Sequence, residues 1–411
     1  MADVAVKIDS STEAQNPGSE SESPIYSTGV LPYQALKEMV KSGEIKTEIL
    51  TEIIEDQIQP ASIDLRLGHF AYPVDTSFLP GSGIKVLEKM RQLDERFDDF
   101  KIDLRSGAVL ERGRVYVIPL LEEVNLKSSM KSEMRGFANP KSSTGRLDIL
   151  TRLITDEGTK FDQVRSGYEG KLYVEVAPRS FSIIVKTGTC LNQLRFRRTR
   201  GAELQAITSE KWKSLLESGQ IAYTQDNQKQ SSEETGKLRF TIDLQGSGAE
   251  GEIVGWRAKK HAKRIDLAKI NHYDPLDFWE PICFHKSASL ILDPDEFYIL
   301  MTKEAIAVPP DYAAEMLPYD TRAGEFRVHY AGFFDPGFGW DALTGKAGSS
   351  RGVLEVRSHE VPFLLEHGQT VGWLRYERMM ACPDKPYGQG ISSNYQNQTL
   401  KLAKQFRAMS A

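Results

Sequence analysis

The chain is written twice, and that constrains its fold more than any single motif does. "LPYQALKEMVKSGEI" (31–45) and "ITSEKWKSLLESGQI" (207–221) share an amphipathic helical pattern that ends on Ser-Gly, an acid or amide, and Ile. Gly43 and Gly219 sit where a helix C-terminus calls for glycine. "ASIDLRLG" (61–68) is answered by "FTIDLQG" (240–246), and "LYVEV" (172–176) by "VLEV" (353–356). Glu175 and Glu355 lie 180 positions apart, as do Gly188 and Gly368, and Phe196 and Tyr376. The helices are offset by 176 and the Ile-Asp-Leu segments by 179. An ordered series of matches predicts two homologous domains, 25–203 and 204–411.

Bulk properties narrow the class. At 411 residues the chain is too long for one core. It is 40% hydrophobic and 27% charged, as soluble globular proteins are. A formal charge of −5 argues against a bulk electrostatic nucleic-acid binder. No apolar run approaches the roughly 20 residues needed to cross a bilayer, so no membrane partner is expected. Residues 1–24, "MADVAVKIDSSTEAQNPGSESESP", lack the basic and apolar regions of a secretory signal and read as a disordered tail. Three widely separated cysteines, Cys190, Cys283 and Cys382, suggest no disulfide framework, and a cytoplasmic setting is expected.

Each copy opens on one helix and then turns to short strands. "AVLERGRVYVIPL" (108–120) and "SLILDPDEFYILMT" (289–302) alternate around Gly or Asp-Pro punctuation and predict hairpins. "KLYVEVAPRSFSIIVKTGTCLNQLRFRR" and "GVLEVRSHEVPFLLEHGQTVGWLRYER" each read as three strands. Many short strands at regular spacing predict a mainly β protein with a few helices, of barrel or jelly-roll type rather than βαβ.

Several motifs carry little. "GSGAEG" (246–251) matches GxGxxG, but "EIVGW" is no helix start, so a loop is predicted. "SHEVPFLLEH" places His359, Glu360 and His367 at a spacing that is not HExxH. The chain has no CxxC, so a hydrolysis here is expected to activate water without protein-held zinc, and no metal ligands are assigned.

Others carry more. Lys141, Ser142, Ser143 and Arg146, in "KSSTGR", combine hydroxyls and cations along a turn, as a phosphate clamp or a polar surface turn does. Glu175 and Glu355 sit within apolar strands, either solvated or inward and functional, and their recurrence favours function. "FFDPGFGW" (333–340) offers Asp335 beside aromatics, a tight turn that also suits a base or sugar. "PYGQGISSNYQNQTLKLAKQF" (386–406) ends helically and reads as a loose tail or a flap.

Together these residues resemble the dCTP deaminase branch of the dCTP deaminase/dUTPase superfamily. The carrying segments are "QPASIDLRLG", "KSSTGRL", "GYEGKLYVEV", "FFDPGFGW…GVLEV" and "PYGQGISSNYQNQ". The resemblance implies two tandem dUTPase-like distorted β-barrel domains of β-clip or jelly-roll type. It also implies trimer-like packing in a homo-oligomer, with active sites between subunits. By the same resemblance a strand glutamate is the general base for water attacking cytosine C4, at Glu355 in the second copy and Glu175 in the first. Asp335 contacts the deoxyribose, and Tyr387, Tyr395 and Gln398 belong to the closing tail, where Asn394 replaces the family's lysine. Arg165 stands where the first copy's aspartate belongs. In the second copy the clamp has decayed to "PYDTRAG", with Asp320, Thr321 and Arg322.

The copies therefore look complementary, and a composite site is expected. It would join Ser142, Ser143 and Arg146 to Asp335, Glu355, Tyr387 and Gln398. The implied reaction is deamination of dCTP to dUTP and ammonia, with Mg²⁺ held chiefly by the triphosphate. The alternatives are a dUTP pyrophosphatase, a bifunctional deaminase/dUTPase, and a nucleotide-sensing protein without turnover.

Overall fold

The computed structural model describes residues 26–47, 52–127, 133–200, 207–223, 234–318, 326–329, 332–358, 360–388 and 399–408. Residues 1–24 and the sites expected at Asp320, Thr321, Arg322, Asn394, Tyr395 and Gln398 lie outside them.

The chain is mainly β with a few short helices. Both repeated helices form, Tyr33–Lys41 and Ser209–Glu217, burying Leu36 and Met39 in one and Trp212 and Leu215 in the other. Each ends at a serine followed by a glycine with positive φ, Gly43 at 75° and Gly219 at 70°. Only glycine enters that region without strain.

Strand pairing repeats as the sequence does. In the first half, Cys190–Arg198 lies between Ile63–Arg66 and Met134–Pro140, and Met134–Pro140 pairs onward with Gln163–Val164. In the second, Thr370–Arg378 lies between Lys237–Thr241 and Tyr312–Pro318, which pairs onward with Phe333–Phe334. A second sheet runs Phe70–Val74, Val115–Asn125, Glu169–Pro178, Ile149–Thr155. Its counterpart runs Ile253–Ala258, Phe297–Ile306, Arg351–Ser358, Phe326–His329.

The predicted hairpins do not form. Ala108–Leu110 pairs with Ile183–Val185, not with Val115–Asn125, and Ser289–Leu292 pairs with Phe363–Glu366. The turn at Glu111–Arg114 is held instead by Gly113 N–H on the Pro178 carbonyl and by Glu111 N–H on the Tyr116 hydroxyl. It carries the chain from one sheet to another. Alternation and turn residues mark where strands end, but they do not say which strand is the partner. The C-terminal stretch is also not helical over residues 399–408. Its Phe406 packs among Tyr273, Phe278 and Trp279, and its backbone bonds to Asn271, His272 and Tyr273.

The halves share apolar interior. Trp279, Phe297, Val353 and Phe406 join the core built on Leu36, Leu65 and Val174. The strand Ile183–Val185 also pairs in parallel with Ile265–Asp266. Equivalent strand faces meet different neighbours. On Glu169–Pro178, Tyr173 packs with Val86 and Met90 of the helix Val86–Leu93, part of a segment between Val74 and Ala108 that contributes no strand longer than two residues. On Arg351–Ser358, Leu354 and Val356 face the second half's own core, while Val353 faces the first half. Strand alternation puts Glu355 and Arg357 on the Val353 side.

Candidate active site

The clamp segment leaves strand Met134–Pro140 and closes into one helical turn, Ser142–Gly145. Thr144 Oγ1 ties the turn to the neighbouring strand by donating to the Leu191 carbonyl at 2.9 Å. The Lys141 ammonium pairs with the Asp64 carboxylate. Burial opposes the charge on Lys141, but the attraction of Asp64 outweighs it and the ammonium is held above its ordinary range. Arg146 is 3% exposed and donates through Nη1 to the Lys401 carbonyl at 2.8 Å.

Second-half residues complete the surroundings. A cavity of about 290 Å³ is lined by Lys141, Ser142, Ser143 and Arg146 from the first half. Asp335, Glu355 and Tyr387 line it from the second. Asp335 opens a tight turn: Phe338 N–H returns to its carbonyl at 3.0 Å, and Gly337 and Gly339 take φ of 95° and 61°. A Cβ on Gly339 would lie 2.1 Å from the Ile306 carbonyl oxygen, so the turn cannot carry a side chain there. Phe338 meets Phe334 edge-to-face and Tyr387 at a tilt, with ring centroids 5.1 and 5.8 Å apart, and the three form an apolar wall.

Glu355 is 5% exposed and sits in register with Ile299 and His329. Burial pushes its carboxyl up to about 8, although the Arg146 guanidinium draws it down. Burial likewise raises Asp335 against the pull of Arg195. A carboxyl so placed can accept and return a proton near neutral pH.

Glu175 is not among the residues lining this cavity. Its carboxylate is 1% exposed and accepts from Arg152 Nε at 2.9 Å and Nη2 at 2.6 Å. Arg152 also donates to Ser77 Oγ at 2.6 Å and stacks 3.9 Å from the Phe161 ring centre. The structure therefore separates the two glutamates that the repeat equates. Arg165, in the position of the missing aspartate, pairs with Glu157 at 2.6 Å on the surface.

Sequence reasoning missed Arg195, which is fully buried and crosses from the first half to the second. It donates to the Ala314 carbonyl at 3.0 Å and to Asp335 Oδ1 at 3.1 Å, and stacks 4.0 Å from the Phe333 ring centre. In sequence it lies in "RFRR", at the end of a segment read only as strands. Lys404, in "LAKQF", also lines the cavity and was not singled out. Among the described residues, no three His, Cys, Asp or Glu side chains cluster as metal ligands, and no helix is long and apolar enough to cross a membrane.

Comparison with known proteins agrees with the architecture. Residues 27–200 match the model of the 2'-deoxycytidine 5'-triphosphate deaminase (DCD) N-terminal domain, and 208–406 that of its C-terminal domain. The chain is similar to the crystal structure of 2'-deoxycytidine 5'-triphosphate deaminase from Agrobacterium tumefaciens. The identity is 46% and the TM-score 0.76, with 86% of this chain and 99% of that one covered. It is 30% identical over 153 residues to a dUMP-forming dCTP deaminase of Pseudarthrobacter chlorophenolicus, covering 35% of this chain and 75% of that protein. To a dCTP deaminase of Acidianus ambivalens it is 26% identical over 174 residues, covering 41% and 84%. The chain belongs to the dCTP deaminase family of the dUTPase superfamily, a family of enzymes.

Proposed function

We propose that the chain deaminates dCTP to dUTP and ammonia in a composite site, with Glu355 as the proton carrier and no zinc. One observation carries this reading: a buried carboxyl with a raised pKa shares a cavity with a Ser-Ser-x-x-Arg turn from the other half. Ser142, Ser143 and Arg146 bind the triphosphate, which in turn holds Mg²⁺. Asp335 receives the deoxyribose, and the Phe334, Phe338 and Tyr387 wall takes the base.

The chemistry balances on one water. Its oxygen bonds to C4 while Glu355 takes a proton and passes it to N3. The second water proton reaches the exocyclic nitrogen, the C4–N bond breaks, and ammonia leaves as the C4 carbonyl forms. Arg146 near the carboxyl keeps a usable fraction of it ionised at neutral pH.

A second reading has one support, the name "dCTP deaminase, dUMP-forming" carried by several relatives. Under it the same cavity also cleaves dUTP to dUMP and pyrophosphate. The test is to supply purified enzyme with dCTP and Mg²⁺ and to measure ammonia and pyrophosphate separately. Ammonia alone supports deamination only; both products support the second reading; neither product sinks both. Two tandem dUTPase-like barrels over 25–203 and 204–411, a homo-oligomer of trimer-like packing and a cytoplasmic setting complete the proposal.

A further inference from the structure

The cavity around Glu355 shares a wall with a neighbouring one of about 400 Å³, and Asp64, Lys141, Ser143 and Lys404 line both. The cations at this junction differ in their commitments. Lys141 is paired with Asp64, and Arg146 reaches the Lys401 carbonyl. The Lys404 ammonium has no hydrogen-bond or ion-pair partner among the described residues. It is partly buried beside Lys141, and burial first and the like charge second weaken its hold on its proton, against the pull of the Asp64 carboxylate. Asp56 also lines both cavities but is exposed to solvent. The Asp64 carboxylate at hand is already taken by Lys141, so a partly desolvated lysine beside that pair stays short of counter-charge until an anion arrives.

Lys404 does not hang on a loose end. Its carbonyl accepts from Asn271 N–H at 2.9 Å, and the next carbonyl, of Gln405, accepts from His272 N–H at 2.9 Å and Tyr273 N–H at 3.1 Å. Gln405 Nε2 donates to the Leu267 carbonyl at 3.2 Å, and Phe406 is locked among aromatic rings. A fixed backbone presents the ammonium with little ordering left for a ligand to impose.

We propose that Lys404 is a substrate-binding residue that recognises the outer phosphates of the nucleoside triphosphate and so makes the site select for chain length of phosphate. The proposal rests on the dCTP reading of the cavity and adds a ligand from the far end of the chain. Lys141 and Lys404 then flank the polyphosphate at the junction, while Ser142 and Ser143 bind it on the side of Glu355. Giving Lys404 its counter-charge beside the Lys141–Asp64 pair favours a highly charged terminal phosphate over a monophosphate.

The experiment measures dissociation constants of dCMP, dCDP and dCTP with Mg²⁺ for the catalytically silent Glu355→Gln parent and for its Lys404→Gln and Lys404→Arg derivatives. The expected result is that Lys404→Gln weakens dCTP by about ten- to a hundredfold. It leaves dCMP unchanged, and Lys404→Arg keeps most of the preference. Unaltered dCMP binding serves as the check that the variant is folded. If Lys404→Gln keeps the parent's ratio of dCTP to dCMP affinity, the proposal fails while the dCTP reading stands. Equal loss of dCMP and dCTP marks a structural role and also overturns it. A parent protein that binds dCTP no better than dCMP overturns both the proposal and the triphosphate reading beneath it.

Discussion

Glu175 accepts two hydrogen bonds from Arg152, at 2.9 and 2.6 Å, whereas Glu355, at the same place in the repeat, has no ion-pair partner among the described residues and lines a cavity. The difference follows from what covers each strand face. In the first half the helix Val86–Leu93 and Ser77 close over the face of Tyr173 and Arg152. In the second half the same face meets the turn Ser142–Gly145 across the cavity. Glu175→Gln is therefore expected to leave kcat for dCTP within a few-fold of wild type. Arg152→Ala, which strands a buried carboxylate, should cost roughly 3 kcal/mol of stability. Steady-state kinetics and denaturant unfolding check both; loss of turnover in Glu175→Gln with unchanged stability would reverse the assignment.

Glu355 supplies the pH dependence. Its carboxyl is raised from 4.5 to about 8 in the fold, chiefly by burial. Between those values the folded chain holds a proton that the unfolded chain has released, so this group's contribution to stability falls as pH rises. Glu355→Gln should thus lower deamination roughly 100- to 10,000-fold. It should also be more stable than wild type at pH 8–9, by an increment that shrinks toward pH 4–5. Wild-type kcat/KM should climb through about pH 8 as the carboxylate forms. A flat profile over pH 6–9 would remove Glu355 as the base.

How much of this was legible beforehand depends on the range of the interaction. The repeat, both helices and the strands carrying Glu175 and Glu355 were readable because local periodicity sets them. The grouping of Lys141, Ser142, Ser143 and Arg146 with Asp335, Glu355 and Tyr387 around one cavity followed from asking which copy kept which motif. What stayed hidden is long-range. Hairpin alternation could not disclose that Ala108–Leu110 pairs with Ile183–Val185. Nor could "RFRR" disclose that Arg195 is swallowed between halves, or "LAKQF" that Lys404 returns to the clamp.

Arg195 gives the next test. Its guanidinium bonds Asp335 Oδ1 at 3.1 Å and several backbone carbonyls, so it both joins the halves and aims the carboxylate. Asp335→Asn keeps the shape of the side chain and removes the charge. It should raise KM for dCTP at least severalfold and, because it leaves Arg195 buried without its counter-charge, also lower stability by about 3 kcal/mol. Arg195→Met should likewise lower stability by about 3 kcal/mol or more, since buried acceptors lose their donor. An Arg195→Met protein of wild-type stability would show that the bond to Asp335 is incidental.

A buried ion pair ties the residues just after the turn Ser142–Gly145 to the strand Arg351–Ser358. Arg357, two residues beyond Glu355, pairs with Asp148, two residues beyond Arg146, and both side chains are buried, at 5% and 1% exposure. Ser180 Oγ donates to the same Asp148 carboxylate at 2.6 Å, and Arg357 reaches the Asp295 carbonyl. Asp148 has φ of 56°, a conformation that Asp and Asn tolerate better than other side chains. Asp148→Asn therefore preserves the backbone while removing the charge that Arg357 needs. Breaking such a buried pair costs roughly 3–5 kcal/mol. Because the pair links Arg146 and Glu355 through two residues on each side, the variant should also lose kcat, not only stability. At a temperature where unfolding is negligible, kcat should fall about tenfold or more, as small displacements of positioned groups produce. The double variant Asp148→Asn with Arg357→Gln should recover stability but not kcat. Recovery of both would mean that the pair supports folding alone and leaves the geometry between phosphate turn and carboxyl untouched.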